Sequence, residues 1–237
     1  MQAKQTALLL FTRHVRDEGR EKRIFGLNYG KNFNFFQALN DKAVQTIKAT
    51  GLPFYICSGE SQNGDSFAER YQNAIQSIFE KGYNRVITIG NDSPELTAAI
   101  LLNIQQELDG HDLVYGATQN GGIYTLGLTK QGFDSFEFEK MAWQTESLIS
   151  DFDILGRDNS KILKLDFVLA EFNAIKDVRE FLIHISNNIN DKILYSKIFQ
   201  LFFDFKIPKL KEISSFSEFF SAEIALRGPP QDALLLS

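Results

Sequence analysis

Residues that could bind phosphates stand in a polar segment that directly follows the first apolar run of the sequence, residues 6–12. The segment opens with Thr12 and carries the cations Arg13, Arg20, Lys22 and Arg23. Guanidinium forks and an ammonium charge can clamp phosphate groups. The spacing GxxxxGK[ST] is absent, which excludes a P-loop. A solvated loop, in which Asp17, Glu18 and Glu21 balance the cations, is an equally good interpretation.

A second segment, Gly90-Asn91-Asp92-Ser93-Pro94, lies between an apolar run and a predicted helix. Asp92 stands there at the end of a strand, where a carboxylate can share Mg²⁺ with the phosphates of a substrate. The alternative is that Asp92 only caps a helix that begins at Pro94. Ser93 already supplies such a cap, which leaves Asp92 available for a metal ion.

A third segment, residues 116–122, ends in the pair Gly121-Gly122. Paired glycines let a backbone approach a ligand closely, although a tight turn needs them equally. Trp143, the only tryptophan, is either a wall of a ligand site or a core residue, and the core is the safer interpretation.

No general base stands out in the sequence, because a lone His14 near the cations is weak support for one. The patterns GxSxG and GxGxxG are absent, so hydrolase and dehydrogenase functions lack motif support.

The elements that must position these segments alternate between strands and helices. Apolar runs predict strands over residues 6–12, 53–57, 85–90, 112–115 and 123–128. Apolar residues at helical spacing predict helices between them, one of which begins with a capping box formed by Ser66 and Glu69. This order predicts an α/β fold with a mostly parallel sheet and helices on both faces. Ligands bind at the carboxyl ends of the strands in such sheets, so the three polar segments should converge at one edge.

We predict one domain over residues 1–180, with a polar loop at residues 13–34. The alternation of strands and helices fades after residue 160, and the tail has no spacing that suggests chemistry. We therefore expect residues 181–237 to form a helical extension that packs on the domain.

Composition limits the class of protein. The chain of 237 residues has a formal net charge of −5, so it lacks the broad basic field that holds nucleic acid, and we expect no nucleic-acid partner. One cysteine, Cys57, and three histidines exclude an internal disulfide framework and a Cys/His zinc cage. The apolar run 7–11 is too short to span a membrane. These observations predict a cytoplasmic protein.

Five patterns of residues occur in order within residues 6–180. They are Leu10-Phe11-Thr12-Arg13 followed by Gly19 and Lys22-Arg23-Ile24; Gln62, Gly64, Phe67 and Arg70; Gly90-Asn91-Asp92-Ser93-Pro94; Asn120-Gly121-Gly122-Ile123-Tyr124; and Trp143-Gln144-Thr145. In this order they resemble a bacterial family of largely uncharacterised transferases with the glycosyltransferase-A fold. That family is similar, more distantly, to molybdenum-cofactor guanylyltransferase-like nucleotidyltransferases.

The resemblance implies a nucleotide-diphospho-sugar transferase fold that binds a nucleotide or nucleotide sugar, with Mg²⁺ or Mn²⁺ as cofactor. Asp92 is then the metal-binding and catalytic residue. The acceptor would lie beside Asn120, Trp143 and Thr145. The implied nucleotide-binding residues are Thr12, Arg13, Lys22, Arg23, Asn91, Gly121 and Gly122.

One departure from the family bears on activity. The acidic residue that precedes the glycine pair in the family is Asn120 here, and an amide keeps an oxygen ligand but removes a charge, which should weaken metal binding. Three functions stay open: a metal-assisted transferase that moves a glycosyl or nucleotidyl group to an unknown acceptor, a nucleotide-sugar-binding protein with weakened catalysis, and a scaffold domain. The amide at position 120, in place of the family acid, is the feature that distinguishes the first two functions. Pairing of the loop cations with Asp17, Glu18 and Glu21 would favour the third.

Overall fold

A mixed sheet lies at the centre of the first of two structural units, Met1–Asp177. The computed structural model describes residues 4–157, 159–184 and 192–203. Within them the strands are β1 (Lys4–Thr12), β2 (Phe54–Ser58), β3 (Tyr83–Ile89), β4 (Leu113–Ala117), β5 (Ile123–Thr129) and β6 (Ile162–Lys164). Their order is β2-β1-β3-β5-β4-β6, and β5 runs antiparallel to both neighbours while the other pairs are parallel. The predicted mostly parallel sheet is confirmed.

Helices cover both faces of this sheet. They are α1 (Val15–Lys22), α2 (Tyr29–Ala49), α3 (Phe67–Phe79), α4 (Ala98–Glu107), α5 (Lys130–Ser135), α6 (Leu148–Gly156) and α7 (Ile175–His184), which continues into the second unit. Apolar side chains of α3 and α6 fill the core on one face, and those of α2 and α4 fill the core on the other. The predicted α/β architecture is therefore confirmed.

Strand β1 shows why both faces are covered. Ala7 and Leu9 point into the core beside α3, while Leu8 and Leu10 point into the core beside α2 and α4. All four side chains are almost completely buried. A strand without a polar face has to be covered on both sides, which is what its continuous apolar run predicts.

The prediction of a polar loop over residues 13–34 is wrong, because α1 and the start of α2 occupy it. The side chain of His14 accepts a hydrogen bond from the Arg16 backbone and caps α1. Acidic residues in the first turn and basic residues in the last turn complement the helix dipole. Gly19 lets α2 approach closely, since a Cβ there would lie 3.3 Å from Asn32 Cβ. The charges that indicated a solvated loop instead stabilise a helix.

The predicted start of a helix at Pro94 is also wrong. Helix α4 begins at Ala98, and the side chain of Thr97 caps it by accepting a hydrogen bond from the Ile100 backbone. The Leu96 backbone instead donates to the Ser93 carbonyl, which closes a turn before the helix. Asp92 is therefore not the cap of α4, and that alternative role is removed.

The second unit, Val178–Ser237, contains the remainder of α7 and helix α8 (Lys192–Phe203). Helices are thus present after the sheet domain, as predicted. Residues 185–191 and 204–237 of the predicted extension lie outside the described residues, so its packing on the domain stays a prediction. None of the described helices is long and apolar enough to cross a membrane.

The capping box predicted for α3 is confirmed and gives a stability test. Ser66 accepts a hydrogen bond from the Glu69 backbone at 3.1 Å, and Glu69 accepts one from the Ser66 backbone at 3.3 Å. We expect Ser66→Ala to lower the free energy of unfolding by about 1 kcal/mol, measured by chemical denaturation. Ser66→Asn keeps an acceptor and should stay near wild type. An equal loss in both variants would show that the cap does not stabilise α3.

Candidate functional site

A cavity of about 800 Å³ opens at the carboxyl ends of β1 and β3, beside the loop between β4 and β5. The expected convergence of the three polar segments is therefore present. The predicted site residues that line the cavity are Thr12, Arg13, Lys22, Asn91, Asp92, Asn120, Gly122, Trp143 and Thr145. Gly121 lies in the adjoining turn, and Arg23 lies in a different cavity, as described below.

Lys22 lies at the polar end of this cavity, where oxygen atoms from three chain segments surround its ammonium group. Its Nζ is 2.9 Å from Asp92 Oδ2 and 3.5 Å from Glu18 Oε1, and it donates to the Phe172 carbonyl at 3.2 Å. Burial opposes the charge, but the carboxylates of Asp92 and Glu18 outweigh burial and raise the pKa of Lys22 above its usual value. Lys22 therefore stays protonated and brings a positive charge to the site.

Glu18 forms an ion pair with Lys22 on the side that faces the protein interior. Its side chain is buried, and Asn91 Nδ2 donates to Glu18 Oε2 at 2.9 Å and to Asn40 Oδ1 at 2.7 Å. Burial raises the pKa of Glu18, and the charge of Lys22 opposes that rise. The side-chain amide of Asn91 thus ties the end of β3 to both α1 and α2. The predicted contact of Asn91 with a nucleotide stays a prediction.

A second carboxylate, Glu171, faces the same end of the cavity, and the sequence interpretation missed it. Thr118 Oγ1 donates to Glu171 Oε2 at 2.8 Å, and Asn120 Nδ2 donates to the Glu171 carbonyl at 3.3 Å. The backbone of the next residue, Phe172, donates to the Asp92 carbonyl at 2.9 Å, which ties the two acidic segments together. Burial raises the pKa of Glu171, and the negative charge of Asp92 raises it further.

A signal for Glu171 was present in the sequence. Glu171 stands in the segment that follows β6, so the rule that ligand-binding residues follow strands applies to it as it does to Asp92. That strand has only three residues, Ile162–Lys164, and such a short run does not stand out by apolar periodicity. The segment was therefore not recognised as a strand end.

Two other predicted cations, Arg13 and Arg20, pair with acidic residues of α1. Arg13 forms an ion pair with Glu21, and Arg20 lies 3.8 Å from Asp17. Together with the Lys22–Glu18 pair, this is the pairing that the scaffold interpretation expects. Ion pairs between exposed side chains contribute little to stability, so a phosphate can compete for Arg13. Lys22 differs, because it also pairs with a carboxylate outside its own helix.

The structure does not bring Arg23 to the site. Its Nε donates to the Arg20 carbonyl at 2.9 Å, and its backbone has a positive φ of 44° at the end of α1. Arg23 lines a separate cavity of about 630 Å³ together with Arg16 and Arg20. Its predicted role in nucleotide binding is not supported by this placement.

Aromatic side chains form the opposite end of the site cavity. Trp143 packs against Phe67 at 5.6 Å and Tyr71 at 5.2 Å between ring centroids. The Trp143 indole nitrogen donates to the Phe138 carbonyl at 2.6 Å, which fixes the ring. Trp143 is thus both part of the core and a wall of the cavity, with Thr145 at the rim. The acceptor role of this end stays a prediction.

The turn at Gly121 sets the position of the β4–β5 loop. Gly121 has a φ of 82°, and a Cβ there would lie 2.3 Å from the Glu146 carbonyl oxygen. The Ile149 backbone donates to the Gly121 carbonyl at 3.0 Å. Only glycine therefore fits a turn that is joined to the segment before α6.

Alanine at Gly121 should be more harmful than alanine at a glycine with similar φ and free space. Gly82 provides that control, since its φ is 88° and nothing lies within 4 Å of an added Cβ. We expect Gly82→Ala to lose about 1–2 kcal/mol of unfolding free energy through backbone strain alone. Gly121→Ala should lose clearly more, as measured by thermal or chemical unfolding. Equal losses would contradict a close approach to Glu146.

A family of uncharacterized proteins conserved in bacteria (DUF2064) matches residues 38–145 of the chain. No curated protein sequence matches. The crystal structure of a proposed nucleotide-diphospho-sugar transferase from Desulfovibrio desulfuricans G20 is similar with a TM-score of 0.70 and 19% identity, covering 86% of this chain and 99% of that chain.

A structure of Rv0371c from Mycobacterium tuberculosis H37Rv has a TM-score of 0.47 and 12% identity, covering 76% of this chain and 98% of that chain. The fold assignment therefore depends on the Desulfovibrio structure. The resemblance inferred from the ordered motifs is confirmed: the chain is similar to this family of bacterial proteins and has the nucleotide-diphospho-sugar transferase fold.

Proposed function

We propose that the protein is a metal-assisted transferase that moves a glycosyl or nucleotidyl group from a nucleotide-activated donor to an acceptor. The observation that carries this proposal is the convergence of Asp92, Glu171 and Lys22 at the strand ends of a cavity of about 800 Å³. Carboxylates and a cation at one point suit a ligand that carries phosphates and a divalent ion. The fold is compatible with this activity but does not by itself establish it.

The oxygen donors present fit Mg²⁺ or Mn²⁺ when a ligand also contributes. No group of three or more Asp, Glu, His or Cys side chains among the described residues could hold a metal ion. Mg²⁺ is usually held by one or two carboxylates together with phosphate oxygens, so Asp92 and Glu171 would suffice with a bound nucleotide. A metal ion held there would neutralise charge on the phosphates.

The remaining residues have roles that follow from their positions. Arg13 and Lys22 would bind phosphates, and Gly122, which lines the cavity, would let the donor approach the backbone. The acceptor would enter from the end formed by Trp143 and Thr145. Asn120, the third residue predicted for the acceptor side, lies instead beside the Glu171 backbone at the carboxylate end. The cytoplasmic location stays a prediction.

A nucleotide-sugar-binding protein without efficient turnover is the alternative. Asn120 in place of the family acid favours it, and Glu171 opposes it because this residue supplies a carboxylate from another segment. Incubation with radiolabelled nucleotide sugars and nucleoside triphosphates, each with a mixture of sugar and sugar-phosphate acceptors, separates the two functions. Release of nucleotide from a nucleotide sugar, or of pyrophosphate from a nucleoside triphosphate, supports the transferase, and binding without release supports the alternative.

We expect a nucleotide or nucleotide sugar to stabilise the protein in the presence of Mn²⁺ or Mg²⁺. At about 100 times its dissociation constant, such a ligand adds roughly 2.7 kcal/mol to the unfolding free energy. For a protein of this size the melting temperature should rise by roughly 5–10 °C. A thermal-shift screen with and without metal measures this. No shift at millimolar concentrations of any nucleotide would favour the scaffold domain.

The two carboxylates should be separately necessary for metal-dependent binding. We expect Asp92→Asn and Glu171→Gln each to abolish the effect of Mn²⁺ on nucleotide affinity in calorimetry, because each removes one anionic ligand at nearly constant size. Glu60→Gln, at an exposed position, is the matched control.

A carboxylate introduced at position 120 should compensate for the loss of the Glu171 carboxylate. We expect Asn120→Asp to tighten Mn²⁺-dependent binding in the wild-type background and to restore part of it in the Glu171→Gln background. Asn120 already lies beside the Glu171 backbone, which puts a carboxylate at 120 near the same end of the cavity. Unchanged affinities in all these variants would show that this end of the cavity does not bind metal.

A further inference from the structure

The Lys22 ammonium group lies beside the Asp92 carboxylate, in a position where a metal ion could otherwise bind. Nζ lies between Asp92 Oδ2, the Phe172 carbonyl and Glu18 Oε1, at 2.9, 3.2 and 3.5 Å. All three partners are oxygen atoms, one from each of the segments that form this end of the cavity. An oxygen-lined position of this kind suits either a divalent ion or an ammonium group, but not both at once.

We propose that Lys22 is an internal counter-ion of Asp92 that a divalent metal ion can replace. The metal displaces the Lys22 ammonium group only when a phosphate-bearing ligand binds that ammonium group. This inference rests on the proposed function, because it assumes that the metal and the nucleotide share the site. It assigns to Lys22 a regulatory role: the carboxylates are neutralised by the chain until metal and phosphates arrive together.

The local structure gives Lys22 the freedom to make this exchange. It is the last residue of α1, and its side chain is a flexible four-carbon stem with a compact charge. Its side chain is 21% exposed and lines the cavity, so a phosphate can reach it. The Asp92 partner is also accessible from the cavity, with 24% of its side chain exposed.

Glu18 explains why the exchange is reversible. Its carboxylate is held by Asn91 and is buried, so it stays in place when Lys22 moves towards a phosphate. A buried carboxylate without a cation is unfavourable, which returns Lys22 to its position when the phosphate leaves. Glu18 is thus a positioning residue for Lys22 and is not itself expected to bind the ligand.

The exchange makes metal and phosphate binding cooperative. A metal ion alone has to compete with Lys22 for Asp92, whereas a phosphate that takes Lys22 leaves the carboxylates available. Because coupling between two ligands is reciprocal, the phosphate should tighten metal binding by the same factor by which the metal tightens phosphate binding. Removal of the Lys22 charge should allow the site to bind metal even when no phosphate is present.

The test measures Mn²⁺ binding to the full chain by the electron paramagnetic resonance signal of free Mn²⁺, with and without pyrophosphate. We expect pyrophosphate to tighten Mn²⁺ binding to wild type by roughly tenfold, after correction for Mn²⁺ bound by pyrophosphate itself. Lys22→Met should bind Mn²⁺ alone by roughly tenfold more tightly than wild type and should lose most of this coupling. Lys22→Arg keeps the charge and should retain weak binding of Mn²⁺ alone.

Arg16→Met is the matched control, because Arg16 is an exposed cation of the same helix and does not line the site cavity. Its Mn²⁺ affinity should equal that of wild type, which separates a local exchange from a change in net charge. Unchanged Mn²⁺ affinity in Lys22→Met would overturn the proposal. Wild-type binding that is independent of pyrophosphate would also overturn it, even if Lys22→Met does not fold.

The outcome also distinguishes this inference from the proposed function. If no nucleotide binds but Lys22→Met still gains Mn²⁺ affinity, the counter-ion role holds and the transferase proposal fails. If pyrophosphate tightens Mn²⁺ binding equally in wild type and in Lys22→Met, metal and phosphate share the site as the transferase proposal requires, and the exchange fails.

Discussion

The buried carboxylate of Glu18 is the constraint on which the candidate site depends. A charge in the interior has to be paired and hydrogen-bonded, and Glu18 meets this requirement through Lys22 and Asn91. Asn91 follows β3 and also reaches Asn40 in α2, so one polar network joins α1, α2 and the sheet. The same network sets the direction of Lys22 towards Asp92. The need to pair one buried charge therefore organises the polar end of the cavity.

The two ends of the cavity have different physical characters. At the strand ends of β1 and β3, hydrogen bonds and charges fix the side chains. At the other end, Trp143 and its neighbours are fixed by ring packing, and their polar atoms are satisfied within the protein. A ligand that spans both ends would need a charged group and a group with a flat apolar surface. A phosphorylated donor and an organic acceptor have such a division.

Most of the sheet domain could be predicted from the sequence because the signals of its strands and of α3 are local. Continuous apolar runs located β1 and β3, and the Ser66–Glu69 spacing located the start of α3. Helix α1 was missed because charges at i and i+4, such as Glu18 and Lys22, look like a solvated segment until a tertiary partner is known. Glu171 was missed because the short strand β6 before it was not recognised, and its proximity to Asp92 depends on the path of residues 165–174, which no spacing reveals. Side-chain pairing across distant segments is a tertiary property.

The contact between Lys22 and the Phe172 carbonyl joins residues 150 positions apart in the chain. Contacts between positions so distant in sequence form late, because the entropy of closing the intervening loop is lost before the contact can compensate for it. The hairpin of β4 and β5 can form early, since only a short turn connects its strands. The carboxylate end of the cavity is therefore expected to be among the last parts to assemble during folding. A partly folded chain would hold its sheet before it could hold a ligand, so ligand binding would report on completion of the fold.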